Sequence, residues 1–270
     1  MSALAGLGEA YLARFKVSLG VQFQYRASLV IWLTWTIMES VIYLVVWSTV
    51  ATSSGGQVGT YGVQDFAAYF LVTMVVNQLT FTWIMFEFEY RVRQGQLSPL
   101  LLKPLHPIHG DIAENISYKL LTSFVLVPAL LVLALAFRPA LSPEPWMVLA
   151  FVPAVFLAFL LRFLSGWTLA LAGFWTTRVF AINEVYGVAM LFLSGQMVPL
   201  SLLPAPVQAL AAVLPFRWMV SFPVELLLGR VSPQDTLAGY GAQLGWLAVH
   251  VALAALVWRA GLKRYAAVGA

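Results

Sequence analysis

The sequence predicts an all-α, polytopic membrane protein with six transmembrane helices. Three observations carry that reading. Only 10% of the 270 residues are charged and 61% are apolar, whereas a soluble domain carries about 25% charged residues. Several uncharged apolar runs are long enough to cross a hydrocarbon core about 30 Å thick at about 1.5 Å per residue. The basic residues are also unevenly spread: 11 of the 15 Lys and Arg residues fall on one side of those runs. Around the six spans the pattern predicts an N-terminal interfacial helix, a short cytoplasmic helix, and extracellular-side re-entrant or short helices before the last span.

Residues 1–27 read as a helix lying in the headgroup plane. Leu4, Leu7, Tyr11 and Phe15 share one face, Arg14 and Lys16 sit off it, and Arg26 closes the stretch. The first span covers 28–51. Its one charge is Glu39, which costs roughly 3 kcal/mol at mid-helix, while each Leu, Ile, Val or Phe returns about 0.3–0.6 kcal/mol. Eleven such residues lie in the run, so it inserts. At 100° per residue Trp32, Trp35, Glu39 and Tyr43 line one stripe. An acid among aromatics should face protein or a cavity.

A Gly-rich loop without Lys or Arg leads to the second span, 66–86. Tyr69, Thr73, Asn77 and Thr80 line one of its faces, suited to interhelical hydrogen bonding or to a pathway. Residues 87–118 form a basic, proline-punctuated elbow. The helix of span two is expected to run on through Arg93, with Gly95 as its C-terminal stop. Ser98-Pro99 reads as an N-cap and first-turn proline, and Pro104 limits the new helix to one or two turns. Asp111-Ile-Ala-Glu114 has capping-box spacing and is expected to open the next helix.

The third span is 119–137 and the fourth 146–175. Arg162 interrupts the fourth at depth, where a partner is expected, and Glu39 is an acid at similar depth. The fifth span is 181–198, with Glu184 expected to complement the helix N-terminus. Its Tyr186, Met190 and Met197 recur at helical spacing. Five prolines between 199 and 223 break the next stretch, so 199–229 reads as short or re-entrant helices near 205–214 and 218–228. The sixth span is 240–258, opening with Gly241-x-x-x-Gly245, whose spacing is that of a close-packing face.

The basic residues set the topology. By the positive-inside rule both termini and the elbow are cytoplasmic. The first charge is Glu9 and no basic segment precedes a short apolar core, so no cleavable leader is expected. With no cysteine, thiolate chemistry and Cys-bound metals are excluded. No lysine precedes Ser or Thr, so the chain has no Gly-x-x-x-x-Gly-Lys-Ser/Thr phosphate loop. His106 and His109 lie in a turn with no completing ligand set. No catalytic residue, metal or cofactor of its own is therefore expected. The chain reads as a membrane body with a structured elbow and no engine. It is a transport subunit powered by another chain, a non-transporting scaffold, or a secondary transporter. The last would want more intramembrane carboxylates and broken helices in both halves.

Two segments narrow the choice. Arg93-Gln-Gly-Gln-Leu-Ser-Pro-Leu-Leu-Leu-Lys-Pro-Leu-His-Pro107 resembles the cytoplasmic elbow of type-two ATP-binding-cassette export permeases. Gly195-Gln-Met-Val-Pro-Leu-Ser-Leu-Leu-Pro204, with Leu214-Pro-Phe-Arg217 and Phe222-Pro223, resembles the segment before the last span in the bacterial six-span subgroup. The likeness in organisation covers essentially the whole chain. It implies a permease pair, homodimeric or heterodimeric, above two cytoplasmic ATPase subunits that bind ATP and Mg. It implies docking of the ATPase at a coupling helix near Pro99–Lys103, with Leu100, Leu101 and Leu102 as anchors and Arg91, Arg93 and Lys103 as complementary charges. Spans one, two and five would face the dimer axis. That assigns Trp32, Trp35, Glu39, Tyr43, Tyr69, Asn77, Met190 and Met197 to the translocation path, and Pro199, Pro204, Pro215 and Phe216 to an extracellular-side gate. Such a lining suits efflux of an amphipathic or lipid-like cargo through the inner cell membrane.

Overall fold

The computed structural model describes residues 3–24, 26–176 and 179–265, without the side chains of 3–7, 10, 26–30 and 32. Arg178 and the side chains of Leu4, Leu7, Arg26 and Trp32 lie outside the described residues. The chain is an all-α, polytopic membrane protein. Helices α1 (Ala3–Gln24) and α2 (Arg26–Ser53) are followed by a two-stranded hairpin, β1 (Gln57–Val58) and β2 (Tyr61–Gly62). Then come α3 (Val63–Thr80), α4 (Ile84–Arg93), α5 (Leu97–Leu101), α6 (Pro107–Phe137), α7 (Pro145–Ala170) and α8 (Val179–Leu193). The chain closes with α9 (Ala205–Val213), α10 (Phe216–Met219), α11 (Ser221–Leu227) and α12 (Pro233–Leu262).

Five stretches are long and apolar enough to cross a membrane: Leu33–Ser53, Val63–Arg93, Pro107–Phe137, Pro145–Phe174 and Pro233–Leu262. Helix α8 is apolar but has only 15 residues, about 22 Å at 1.5 Å per residue. The expected span through 198 stops early because Gly195 takes φ +87°. The irregular segment that follows is largely buried, and two of its carbonyls are bonded from other helices. Tyr69 donates to Gly195 O (2.8 Å) and Trp47 Nε1 to Met197 O (2.9 Å). Irregular backbone at membrane depth requires that kind of cover.

Helix α3 is the centre of the bundle: 12 of its 18 residues are buried. Its aromatic spacing explains why. Phe66 and Phe70 stack along the helix (6.4 Å between centroids), with Trp47 on Phe66 (5.5 Å) and Tyr43 on Phe70 (6.1 Å). Offset stacking of this kind adds about 0.5–1.5 kcal/mol per pair beyond area burial. The hairpin caps this end of the bundle, where the Arg230 guanidinium lies 3.7 Å from the Tyr61 ring centroid and donates to Thr60 Oγ1 at 3.1 Å.

Helix α12 lies along α7. Gln243 Nε2 donates to Ala154 O (3.0 Å) and Trp218 O (2.9 Å). The close-packing glycines are not the expected ones. A Cβ at Gly241 or Gly245 would meet nothing within 4 Å, whereas one at Gly239 would enter the Phe222 ring and one at Gly261 the Phe174 ring.

Helix α1 packs on the first turns of α6 rather than only on the bilayer. Tyr11 hydrogen-bonds His109 Nδ1 at 2.8 Å, so the face expected to be lipid-directed is partly turned inward. Leu12, Val17, Val21 and Phe23 are exposed instead, and these are the residues left to meet the headgroup boundary.

Candidate functional site: a broken helix, a polar cavity and an elbow

The second span does not run unbroken into the elbow. It stops at Thr80 and resumes at Ile84, with Phe81 at φ −58°, ψ 142°. Two cations hold the break. The Lys119 ammonium donates to Phe81 O and is itself buried. The Arg162 guanidinium lies 5.4 Å from the Phe81 ring centroid. Lys119 thus satisfies a carbonyl released by the break, as the membrane interior demands.

Arg162 is 8% exposed. Its NH1 donates to Asn77 Oδ1 (2.8 Å) and Thr80 Oγ1 (3.0 Å). The ion pair with Glu39 is not formed. Asn77 and Thr80 project from α3 directly at Arg162 and supply neutral acceptors first. Gln196 Nε2 also donates to Asn77 Oδ1 (2.7 Å), so one amide oxygen joins α3, α7 and the irregular segment after α8.

Beside this network lies a cavity of about 410 Å³. Of the residues assigned to a path, Trp35, Glu39, Asn77 and Met190 line it. Tyr69 is fully buried in the aromatic core and Tyr43 packs on Phe70. Met197 sits in the irregular segment, where its carbonyl is bonded to Trp47. The cavity also gathers residues that periodicity did not single out, among them Trp83, Tyr118, Glu184 and Gln196. Helix α8 starts earlier than expected, which moves Glu184 out of the first turn and onto the wall. A second space of about 220 Å³ adjoins the first through shared walls at Phe81, Trp83 and Tyr118, and adds Glu87 and Glu114.

The elbow begins where α4 ends at Arg93, with Gln94 as C-cap and Gly95 at φ +68°, a left-handed stop that glycine adopts without strain. Helix α5 begins one residue before Ser98, with Gln96 as N-cap. Ser98 instead bonds Tyr265 (2.9 Å) in the chain's tail. Helix α6 begins at Pro107 with His106 as N-cap accepting from Ile108 N–H at 3.3 Å. Asp111 therefore does not cap. It is 2% exposed, pairs with Arg91 and accepts from Trp167 Nε1 at 3.2 Å. Arg91 also meets Glu87 (3.3 Å) and Glu114 (3.8 Å). It is thus an internal brace between α4, α6 and α7, because the nearest carboxylates are its own chain's.

The outward face of the elbow is different. Leu97 is fully buried and Leu101 packs beside it, while Leu102 is 87% exposed. Leu100 is half-buried; Lys103 and Arg93 are exposed, Arg93 reaching Glu89 at 3.5 Å. The elbow's base meets an aromatic cluster: Trp258 lies 4.6 Å from His106 and 5.3 Å from Trp167, centroid to centroid. Burial lowers the His106 pKa, and the neighbouring His109 lowers it further.

At the opposite end, Pro199, Pro204 and Pro215 each immediately precede a helical turn: Leu200–Leu202, α9 and α10. Phe216 lies 5.8 Å from Tyr186. Prolines at those positions are compatible with helix starts because their missing N–H is not needed there.

Comparison with known proteins agrees with this architecture. The family described as ABC-2 family transporter protein matches residues 33–269. Searches of curated proteins and of solved structures found no match. The match spans every element from the first membrane span through the broken helix, the elbow and the last span, and the chain therefore belongs to the ABC-2 transporter family as a multi-pass permease component.

Proposed function

We propose that the chain is the membrane subunit of an ATP-driven exporter for an amphipathic or lipid-like cargo, located in the inner cell membrane with both termini and the elbow cytoplasmic. The observation that carries this reading is the elbow. It exposes an apolar tip at Leu102 beside Lys103, while its base is braced to α6, α7 and α12. A soluble ATPase pair that binds ATP and Mg docks there, and its closure tilts the attached helices. Apolar anchors supply most of the binding energy in such a contact, and rim charges such as Arg93 and Lys103 steer it. Arg91 acts behind that surface by holding the elbow to the bundle. Leu101 and Leu100 shape the tip.

The cavity at the broken helix is the path, with Trp35, Glu39, Asn77 and Met190 on its wall. Helices α2 and α8 flank it and leave Ile31, Met38, Val185 and Val188 exposed. A second permease chain, identical or not, covers that side. The Pro199–Phe216 segment gates the far end. ATP-driven switching of access proceeds as hinge motion at the break.

The test is co-expression with candidate ABC ATPases and purification by a tag on this chain, repeated with Leu102→Asp. Capture that Leu102→Asp abolishes, with the permease still monodisperse, is the expected result. Capture of none of these ATPases would overturn the reading. Capture indifferent to Leu102→Asp would remove the tip as the contact.

A further inference from the structure

We propose that the cavity and its adjoining vestibule select a cargo that is positively charged as well as amphipathic. This rests on reading that space as the cargo path. Among the described residues, Glu39, Glu184, Glu87 and Glu114 line the two spaces, four of the chain's eleven Asp and Glu. Among the described Lys and Arg side chains, Arg162 alone does so. The whole chain carries a formal charge of +4, so the acidic lining runs against its overall sign.

This lining cation is already engaged. Arg162 is held by Asn77 and Thr80 and lies against the Phe81 ring. Behind the vestibule wall, Arg91 is shared among Asp111, Glu87 and Glu114, three carboxyl groups to one guanidinium. Carboxylates beside a membrane interior are costly without a counter-charge, and a cationic cargo supplies one.

The walls suit the rest of such a molecule. Trp35, Phe81, Trp83 and Phe86 line the larger space, and Trp83 and Phe86 stack at 4.6 Å. Aromatic faces attract organic cations and accept apolar bodies. At about 410 and 220 Å³ the two spaces have the scale of small-molecule sites. Both signs of amphiphile could use the apolar walls; only a cation gains from the carboxylates.

Tetraphenylphosphonium and tetraphenylborate, nearly the same shape with opposite charge, separate the two contributions. Equilibrium dialysis against the purified full-length chain is expected to show the cation bound about tenfold more tightly than the anion. Glu39→Gln and Glu184→Gln, each checked for unchanged thermal unfolding, should each weaken the cation severalfold and leave the anion unchanged or tighter. Glu144→Gln, outside both spaces, should change neither. Equal binding of the two ions, preference for the borate, or cation binding insensitive to both carboxylate variants would overturn the inference. ATPase capture scores the transporter reading separately: if capture persists without a cation preference, only the cargo's charge is wrong.

Discussion

Asp111→Asn is the substitution that most directly probes how the elbow is held. It keeps the shape and an oxygen that can still accept from Trp167 Nε1, but removes the charge facing Arg91. Asp111 is 2% exposed and the Arg91 side chain 19%, so little solvent screens the pair. Removing one partner of a buried ion pair costs about 3–5 kcal/mol. Here Arg91 retains Glu87 at 3.3 Å and Glu114 at 3.8 Å, both partly exposed, and the retained acceptor offsets part of the loss. The expected cost is about 2–3 kcal/mol. For a chain of this size that corresponds to a Tm fall of about 4–12 °C. Arg91→Gln should be worse, about 3–5 kcal/mol, because it leaves the buried Asp111 carboxylate without its cation.

The assay is thermal unfolding in detergent followed by tryptophan fluorescence. Trp167 and Trp258 report from the elbow's base, and thiol dyes are useless in a chain without cysteine. The double variant should regain at least about 1–2 kcal/mol relative to the sum of the singles, the signature of direct coupling. Single effects that add within about 0.5 kcal/mol would refute the brace.

Other perturbations test the remaining joints. Lys119→Met leaves the Phe81 carbonyl without its donor and should cost about 1–3 kcal/mol, seen as a lower Tm and faster proteolysis at introduced sites near Thr82; an unchanged Tm would argue that the break does not depend on Lys119. Gly239→Ala drives a methyl into the Phe222 ring, which is 3% exposed and packed by Trp218 and Tyr240; overpacking of about 1–3 kcal/mol is expected, whereas Gly241→Ala and Gly245→Ala should be neutral or slightly stabilising in the same melt. The lowered pKa of His106 means that the folded state resists its protonation. Its contribution is therefore complete above the ordinary value of 6.5 and declines as pH falls below it. His106→Gln should flatten that dependence of Tm between about pH 6.5 and pH 5.

Much of the architecture was legible because membrane insertion is a local rule. A run of some twenty apolar residues must be a helix whatever surrounds it. That made legible the helical class, the apolar runs that become long helices, the irregular proline-rich stretch and the burial of Arg162. The elbow's stop at Gly95 was equally local, since only the backbone conformation of one residue was at issue. Partnerships between helices were another matter. Asp111 carries capping-box spacing, but Arg91, twenty residues away, lies within reach only after α4 and α6 fold back on each other. Glu39 and Arg162 share a predicted depth, yet Asn77 and Thr80 are nearer to the guanidinium.

Helical periodicity placed Trp35, Glu39, Asn77 and Tyr69 on stripes, but it could not say which stripe meets a cavity and which meets the core. Tyr69 went to the core and Glu184 to the wall. The break at 81–83 has no proline or glycine to announce it; it is held by Lys119 and Arg162 from other helices. The sequence by itself determined that the chain is an all-α membrane helix bundle with a basic elbow that starts at Gly95, because hydrophobic length, charge bias and turn chemistry act within a few residues. Only the tertiary structure decided which charges are braces, which acids line a cavity and where a span is interrupted, because those depend on distances between side chains brought together by packing from far apart in the chain.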